Sequence, residues 1–438
     1  MSTSEAAVQG IELENWNKMI PNLVFENDTL YSRLKKHAKT NASANITNAG
    51  DVSRPAYRVP MRVQSAAAIV QGTGDGDSLG RGTMSQWISG TIAPVFLFSG
   101  CEITYLTEIA TSGPKRGMIS VRAQELKNSL TSFMNGLEAL SQGDGSGALD
   151  VLPATAVVTT GSGTSSIAGL TNINQFQDQQ TIDFYNTEGG TLEGSGTISY
   201  VDQQFNTLHF STNLSGIVAS GNTYVLAIHD GNAASSGGVP SLAGIKTYQV
   251  NSNTGSVLNL ERSTYPGRLS TPLIDLGGKA VNPGIPYRAE ILIKRGLGPD
   301  TDATKEMVWY GPPEQRFAIT NLYQGILFQQ DIAAGGDTAI DVVKKNMIEK
   351  FGAREYVESY NATPGRIDGL CLNQWGICEQ VEPSLYPFGN GVTSMPVVDI
   401  NTGGYLTSNI FYYHAAFNIF NSNMKAGVII QNAATPLV

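Results

Sequence analysis

Between Lys115 and Gln142 the apolar residues fall at alternating steps of four and three: Ile119, Ala123, Leu126, Leu130, Phe133, Leu137 and Leu140. An α-helix closes a turn about every 3.6 residues, so this spacing puts all of them on one stripe, and a stripe that long demands an equally long surface to lie on. Ser112-Gly113-Pro114 predicts the start, because proline suits the first helical turn and loses no needed donor there. Gly143 opens Gly-Asp-Gly-Ser-Gly and predicts the stop, since glycine takes the left-handed conformation at little cost. A helix over 115–142 is a rod of roughly 40 Å at 1.5 Å per residue, more than twice the average helix of about 11–12 residues. It is either a long core helix or a spine that lays down a flat subunit and lets strands pack along it.

The chain of 438 residues has room for two or three domains with ample core. Only 15% of it is charged, against about 25% in an average soluble domain. A surface so poor in charge is a solubility liability for a monomer, which predicts that much of it meets other subunits. A net charge of −9 gives no bulk attraction to nucleic acid. The three cysteines, Cys101, Cys371 and Cys378, are too few for a disulfide scaffold and point to a reduced, intracellular life. Met-Ser-Thr-Ser-Glu carries neither a basic n-region nor an apolar h-region, so no secretion signal is expected. No apolar run reaches the ~18 residues of a membrane span, so no membrane partner is expected either, and the sequons at Asn41 and Asn45 carry no glycosylation argument.

In chain order, a helical patch over Thr29–His37 sits in otherwise irregular polar sequence. From Tyr31 to Arg62 the basic residues Arg33, Lys35, Lys36, Lys39, Arg54, Arg58 and Arg62 face Asp51 alone, which reads as a solvated arm or as one lying on a polyanion or a neighbouring subunit. Tyr57, Val59, Met61 and Val63 then alternate with Arg58, Pro60 and Arg62, the period of a half-exposed strand. A glycine-dense tip over Gly72–Gly82 predicts a mobile turn, after which Trp87–Thr104 returns as strand.

Beyond the long helix, 149–230 changes character. Strands are predicted at Thr155–Thr159, Thr181–Tyr185, Thr197–Asp202, Thr207–Ser211 and Thr223–Ile228, a small antiparallel barrel or sandwich. The stretch 151–232 has no Lys or Arg and six acids: Asp178, Asp183, Glu188, Glu193, Asp202 and Asp230. A small-residue linker covers 232–240, and a helix is predicted from Thr338 with Ile340, Val343, Met347 and Phe351 on one face. Asn409–Asn432 reads as mostly strand, completing a sheet begun elsewhere. The fold class is α+β with an all-β insert.

Candidate chemistry fails on context. Gly76-Asp-Ser-Leu-Gly80 fits a nucleophile elbow and an esterase block, but Ser78 lies in the glycine tip and not between a strand and a helix. The esterase pattern also wants an Asp three residues before its histidine, and Phe411 holds that place before His414. Asp75 and Asp77 begin a calcium-like loop that no Glu closes. Cys371 and Cys378 have no paired histidines for zinc, His37, His209, His229 and His414 are scattered, and Gly72-x-Gly74-x-Gly76 follows no strand-to-helix turn. Neither an enzyme, a cofactor nor a metal is expected.

A basic arm, a glycine-tipped two-stranded loop, a long helix and a mixed C-terminal half arrive in one order. With Gly244-Ile-Lys, Leu260-Glu-Arg-Ser-Thr-Tyr-Pro266, Trp309-Tyr-Gly-Pro-Pro-Glu-Gln315 and Ala426-Gly-Val-Ile-Ile-Gln431, nearly the whole chain resembles the major capsid protein of tailed bacteriophages, the Hong Kong 97-type fold. The resemblance implies an N-terminal arm (1–50), an extended β-hairpin loop (51–104), the spine helix of a peripheral domain (105–150), an inserted β-barrel domain (151–232), and the remainder of the peripheral domain with an axial domain (233–438, the axial part within about 300–400). It further implies pentamers and hexamers forming an icosahedral virion shell around double-stranded DNA, assembled in the host bacterial cytoplasm. Scaffolding, portal and decoration proteins are then expected partners. Scaffolding is expected to be separate or removed, and no Lys–Asn cross-link pair can be assigned. The basic residues 33–62 would face DNA and the acidic insert would stand outside. The alternatives are another phage structural protein (tail tube or decoration) and an esterase using Ser78.

Overall fold

The structure, a computed structural model, describes residues 30–38, 45–46, 57–64, 84–104, 121–160, 164–187, 190–219, 221–229, 241–297, 306–320, 350–388, 392–398 and 403–434. They fall in two compact units, one within Met1–Lys36, Pro94–Ala243 and Glu379–Asn418, the other within His37–Ala93, Gly244–Cys378 and Ile419–Val438.

The first unit is built on a helix over Val121–Ser141 and a pair of long antiparallel strands. Val95–Thr104 pairs with Tyr405–Asn421 from Val95↔Phe417 to Thr104↔Ser408. The latter strand has 17 residues, about 56 Å when extended. Along it Phe411, Tyr413, Ala415 and Phe417 alternate onto one buried face. The helix lies on that face: the Phe133 ring stacks on Tyr413 at 6.2 Å, and Tyr413 Oη donates to the Leu126 carbonyl at 2.9 Å. Leu126, Leu130, Phe133, Leu137 and Leu140 are all buried, as the period of the stripe requires. The start signal at 112–114 and Ile119 lie outside the described residues. The short helix Leu30–Ala38 docks here too, burying Leu30, Tyr31 and Leu34. Glu138 of the long helix accepts the Leu30 N–H at 3.0 Å, a carboxylate placed against a helix N-terminus, where the backbone dipole favours it.

The insert is seven antiparallel strands in the order Ala148–Leu152, Tyr224–Ile228, Thr181–Tyr185, Leu192–Asp202, Thr207–Phe210, Ser165–Ala168, Val157–Thr160. Ile167, Ile182, Phe184, Ile198, Leu208, Phe210 and Leu226 alternate into its core. The Phe184 and Phe210 rings meet at 5.8 Å although their strands are not neighbours, so the sheet curls. Asp150 on the first strand draws in the loop that follows Ser165–Ala168, accepting from the Thr171 and Asn172 N–H groups at 2.8 and 2.9 Å. The predicted barrel or sandwich is, among the described residues, a curled sheet whose first strand a side chain ties to the loop after Ser165–Ala168.

The second unit holds a six-stranded mixed sheet, Leu273–Asp275, Val428–Gln431, Ile367–Cys371, Met307–Gly311, Arg354–Glu358, Lys350–Phe351. Val428–Gln431 lies between strands more than fifty residues earlier, completing a sheet begun elsewhere as expected. The helix Gly284–Leu297 packs on the sheet with Ile285, Ala289 and Ile293, one side chain per turn. The same unit contains the hairpin Tyr57–Gln64/Gln86–Ile92, with Tyr57, Val59, Met61 and Val63 buried and Arg58, Pro60 and Arg62 exposed.

Two sequence expectations are corrected. The returning strand 87–104 is two strands, Gln86–Ile92 and Val95–Thr104, with different partners. Pro94 lies at the break, where it has no N–H to give to a ladder. Phe351, expected on a helix face, ends a strand and is buried against Trp309 at 5.2 Å, the Trp309 Nε1 donating to its carbonyl. Thr338, Ile340, Val343 and Met347 lie outside the described residues.

Candidate functional site

In the first unit, the sheet face opposite the long helix carries rings. Cross-strand pairing aligns Phe98 with His414 and Gly100 with Tyr412. Tyr386 stacks edge-on to Phe98 at 6.1 Å and to His414 at 5.2 Å, while Phe388 bridges Tyr386 at 5.2 Å and Tyr412 at 5.9 Å. The Tyr412 ring lies over Gly100, where an added Cβ would sit 3.0 Å from it. Phe98 is 56% exposed, and Met395, opposite Ile410, is exposed as well. His414 Nδ1 meets the Ser384 carbonyl at 3.2 Å, and burial holds its pKa below the usual histidine value against the opposing pull of that bond. Among the described residues, the groups set against this imidazole are the Ser384 carbonyl and the Phe98 and Tyr386 rings. The ladder is an apolar platform suited to another protein surface.

In the second unit the hairpin belongs to a sheet that, among the described residues, has three strands and ends with Gln86–Ile92. Its base is pinned where the Thr91 N–H donates to the Leu258 carbonyl at 2.9 Å and Gly90 leaves room for Leu258. Toward the other end Met84 and Trp87 are 88% and 62% exposed. An edge strand with exposed apolar side chains is a template for another chain. On Gly284–Leu297, Tyr287 and Ile291 are exposed one turn apart, away from the buried stripe.

Of the basic residues that the sequence grouped, Arg33, Lys35 and Lys36 belong to the first unit and Arg58 and Arg62 to the second. Lys35 is in ion pairs with Glu379 and Glu382, at 3.2 and 2.5 Å, beside a Tyr31–Glu379 hydrogen bond that, after burial, is a further cause raising the tyrosine pKa. Arg33 is half-buried, and Lys36 is exposed on the same helix. Arg58 and Arg62 point outward from one strand face, about 13 Å apart. Lys39 and Arg54 lie outside the described residues.

Ser78, Asp75 and Asp77 also lie outside the described residues. Cys371 and Cys378 are buried and Cys101 half-buried, all with free thiols. Among the described residues no cluster of His, Cys, Asp and Glu could hold a metal, and no helix is long and apolar enough to cross a membrane. The aromatic ladder escaped the sequence reading because Phe98, Tyr386 and Tyr412 are brought together only by strand pairing. The one local signal was the unbroken aromatic run Phe411-Tyr412-Tyr413-His414.

Neither a family model nor a curated relative matches the sequence. Solved structures similar to the chain include the capsid asymmetric unit of cyanophage A-1(L), at 9% identity over 90% of this chain and 93% of that one, TM-score 0.48. The capsid of a native GTA particle is similar at 9% identity over 91% of each chain, TM-score 0.42. The holo-SrpI encapsulin complex of Synechococcus elongatus is similar at 8% identity, covering 91% and 89%, TM-score 0.39.

Proposed function

We propose that this chain is a shell-forming structural subunit, a major capsid protein of the Hong Kong 97 type. In this reading it assembles with itself as pentamers and hexamers into an icosahedral shell around phage double-stranded DNA. The observation that carries it is the first unit's sheet, whose two faces have unlike fates. The long helix covers one face, while Phe98, Tyr386, Phe388 and Tyr412 leave the other half open. The hairpin edge with Met84 and Trp87 supports it from the second unit, and so does a sequence only 15% charged. A closed shell repeats one subunit through arms and loops that reach over neighbours, and both features offer surface for such contacts. The order of arm, hairpin, long helix, insert and closing strand fits the sequence resemblance.

The finer assignments belong to the same proposal. The chain resides in the virion, is assembled in the bacterial cytoplasm, works without catalysis, and meets scaffolding, portal and decoration proteins. Of the seven basic residues, Lys36, Arg58 and Arg62 are the described ones exposed enough to lie against phosphate. Negative-stain imaging of the purified protein tests the central claim. Closed icosahedral particles are the expected result. Tubes, or monomers under all assembly conditions, would overturn it, as would ester hydrolysis that disappears with Ser78→Ala.

A further inference from the structure

On the outer face of the insert, cross-strand pairing sets Tyr200, His209, Ser166 and Thr159 in one row over four adjacent strands. The Tyr200 and His209 rings stack, centroids 4.1 Å apart and planes within 10°. The small Ser166 follows, so the row dips beside the rings and rises again at Thr159. The depression is a cavity of about 320 Å³ whose rim includes Thr164 and Ser199, at the small end of the range for small-molecule sites. The hydroxyls of Thr159, Thr164, Ser166 and Tyr200 and the His209 ring nitrogens have no hydrogen-bond partner among the described residues. They are donors and acceptors left for something else.

We infer that this groove binds a neutral carbohydrate. A sugar ring presents an apolar C–H face and a polar rim of hydroxyls. The first suits a flat aromatic wall, and the second suits a cluster of uncommitted hydroxyls and an imidazole. Charge excludes the other ligands an aromatic wall could take. The stretch 151–232 has no Lys or Arg and six acids, so a nucleic acid or a sulfated or phosphorylated sugar would be repelled. A purely apolar ligand would leave the hydroxyl rim unpaired. The inference does not depend on the shell proposal, since the groove lies within one domain of one chain.

Saturation-transfer NMR on the full chain tests it, using a panel of neutral oligosaccharides built on glucose, galactose, mannose and N-acetylglucosamine, with a heparin hexasaccharide as the charged probe. At least one neutral sugar should take up saturation and the heparin probe none. Tyr200→Ala should weaken binding at least about fivefold, Tyr200→Phe, which keeps the ring and loses one rim hydroxyl, should weaken it less, and Ser166→Tyr should abolish it by filling the dip. Tyr200 is 48% exposed, so these variants should keep the wild-type thermal transition, which is read alongside. No binding across the neutral panel, binding indifferent to Tyr200→Ala and Ser166→Tyr, or preference for the heparin probe would each overturn the assignment.

Discussion

Leu130 is 3% exposed in the middle of the helix stripe. Leu130→Asp would bury a carboxylate with no partner, at a cost of several kcal/mol, and insoluble protein is expected in a soluble-fraction assay. Soluble, assembled particles would reject the stripe as core. Burial pushes the Cys371 thiol up to about 12, leaving roughly one thiolate in ten thousand at about pH 8. Mass spectrometry after iodoacetamide should therefore find Cys371 unmodified in native protein and modified after denaturation. His414 gives a pH dependence of stability. Its folded pKa is depressed, so below about 6.5 the unfolded chain binds the proton more readily, and stability falls as pH drops through that value toward the folded pKa. Urea midpoints at about pH 7.5 and 5 should separate more for wild type than for His414→Gln. The sequence makes Leu130 legible because its spacing is local. Glu138 and Asp150 were not legible, since what they bind lies 108 and 21 residues away and no local pattern announces a buried carboxylate's partner.

Strand Ile367–Cys371 shows what holds an element in place. An added Cβ at Gly369 would stand 2.6 Å from Val428 Cγ1 and 3.0 Å from the Trp309 ring, both inside the second unit's core. Gly369→Ala should cost about 1–3 kcal/mol through overpacking, read as a lower urea midpoint, and an unchanged midpoint would show that the core yields. At this scale an element is legible in the sequence where one of its faces is wet. The 57–63 alternation and the 126–140 stripe each carry a polar side that exposes their period. Ile367–Cys371 is buried at every position, and a fully buried strand has no period in its sequence. The break at Ala93–Pro94 was missed for a different reason: both halves are strand, and only the change of partner separates them.

For the whole molecule, charge placement predicts which surface each part occupies in a filled shell. The acidic, cation-free 151–232 stretch should stand away from DNA, and the 31–62 stretch should be sheltered. Limited proteolysis of full particles should cut within 151–232 and spare 31–62, and the reverse pattern would sink the assignment. The shift in composition made the span of the seven-stranded sheet legible, but not its topology. Its incoming strand Ala148–Leu152 and outgoing strand Tyr224–Ile228 are paired neighbours, Leu152 opposite Tyr224 and Ala148 opposite Ala227. Two chain ends on adjacent strands are about 4.8 Å apart. Whatever joins them adds loop-closure entropy that grows only slowly with its length. To the rest of the chain, the residues between Leu152 and Tyr224 therefore occupy the place of a hairpin turn. Exchanging them for another domain with neighbouring termini is therefore expected to leave the helix Val121–Ser141 and its paired strands folded.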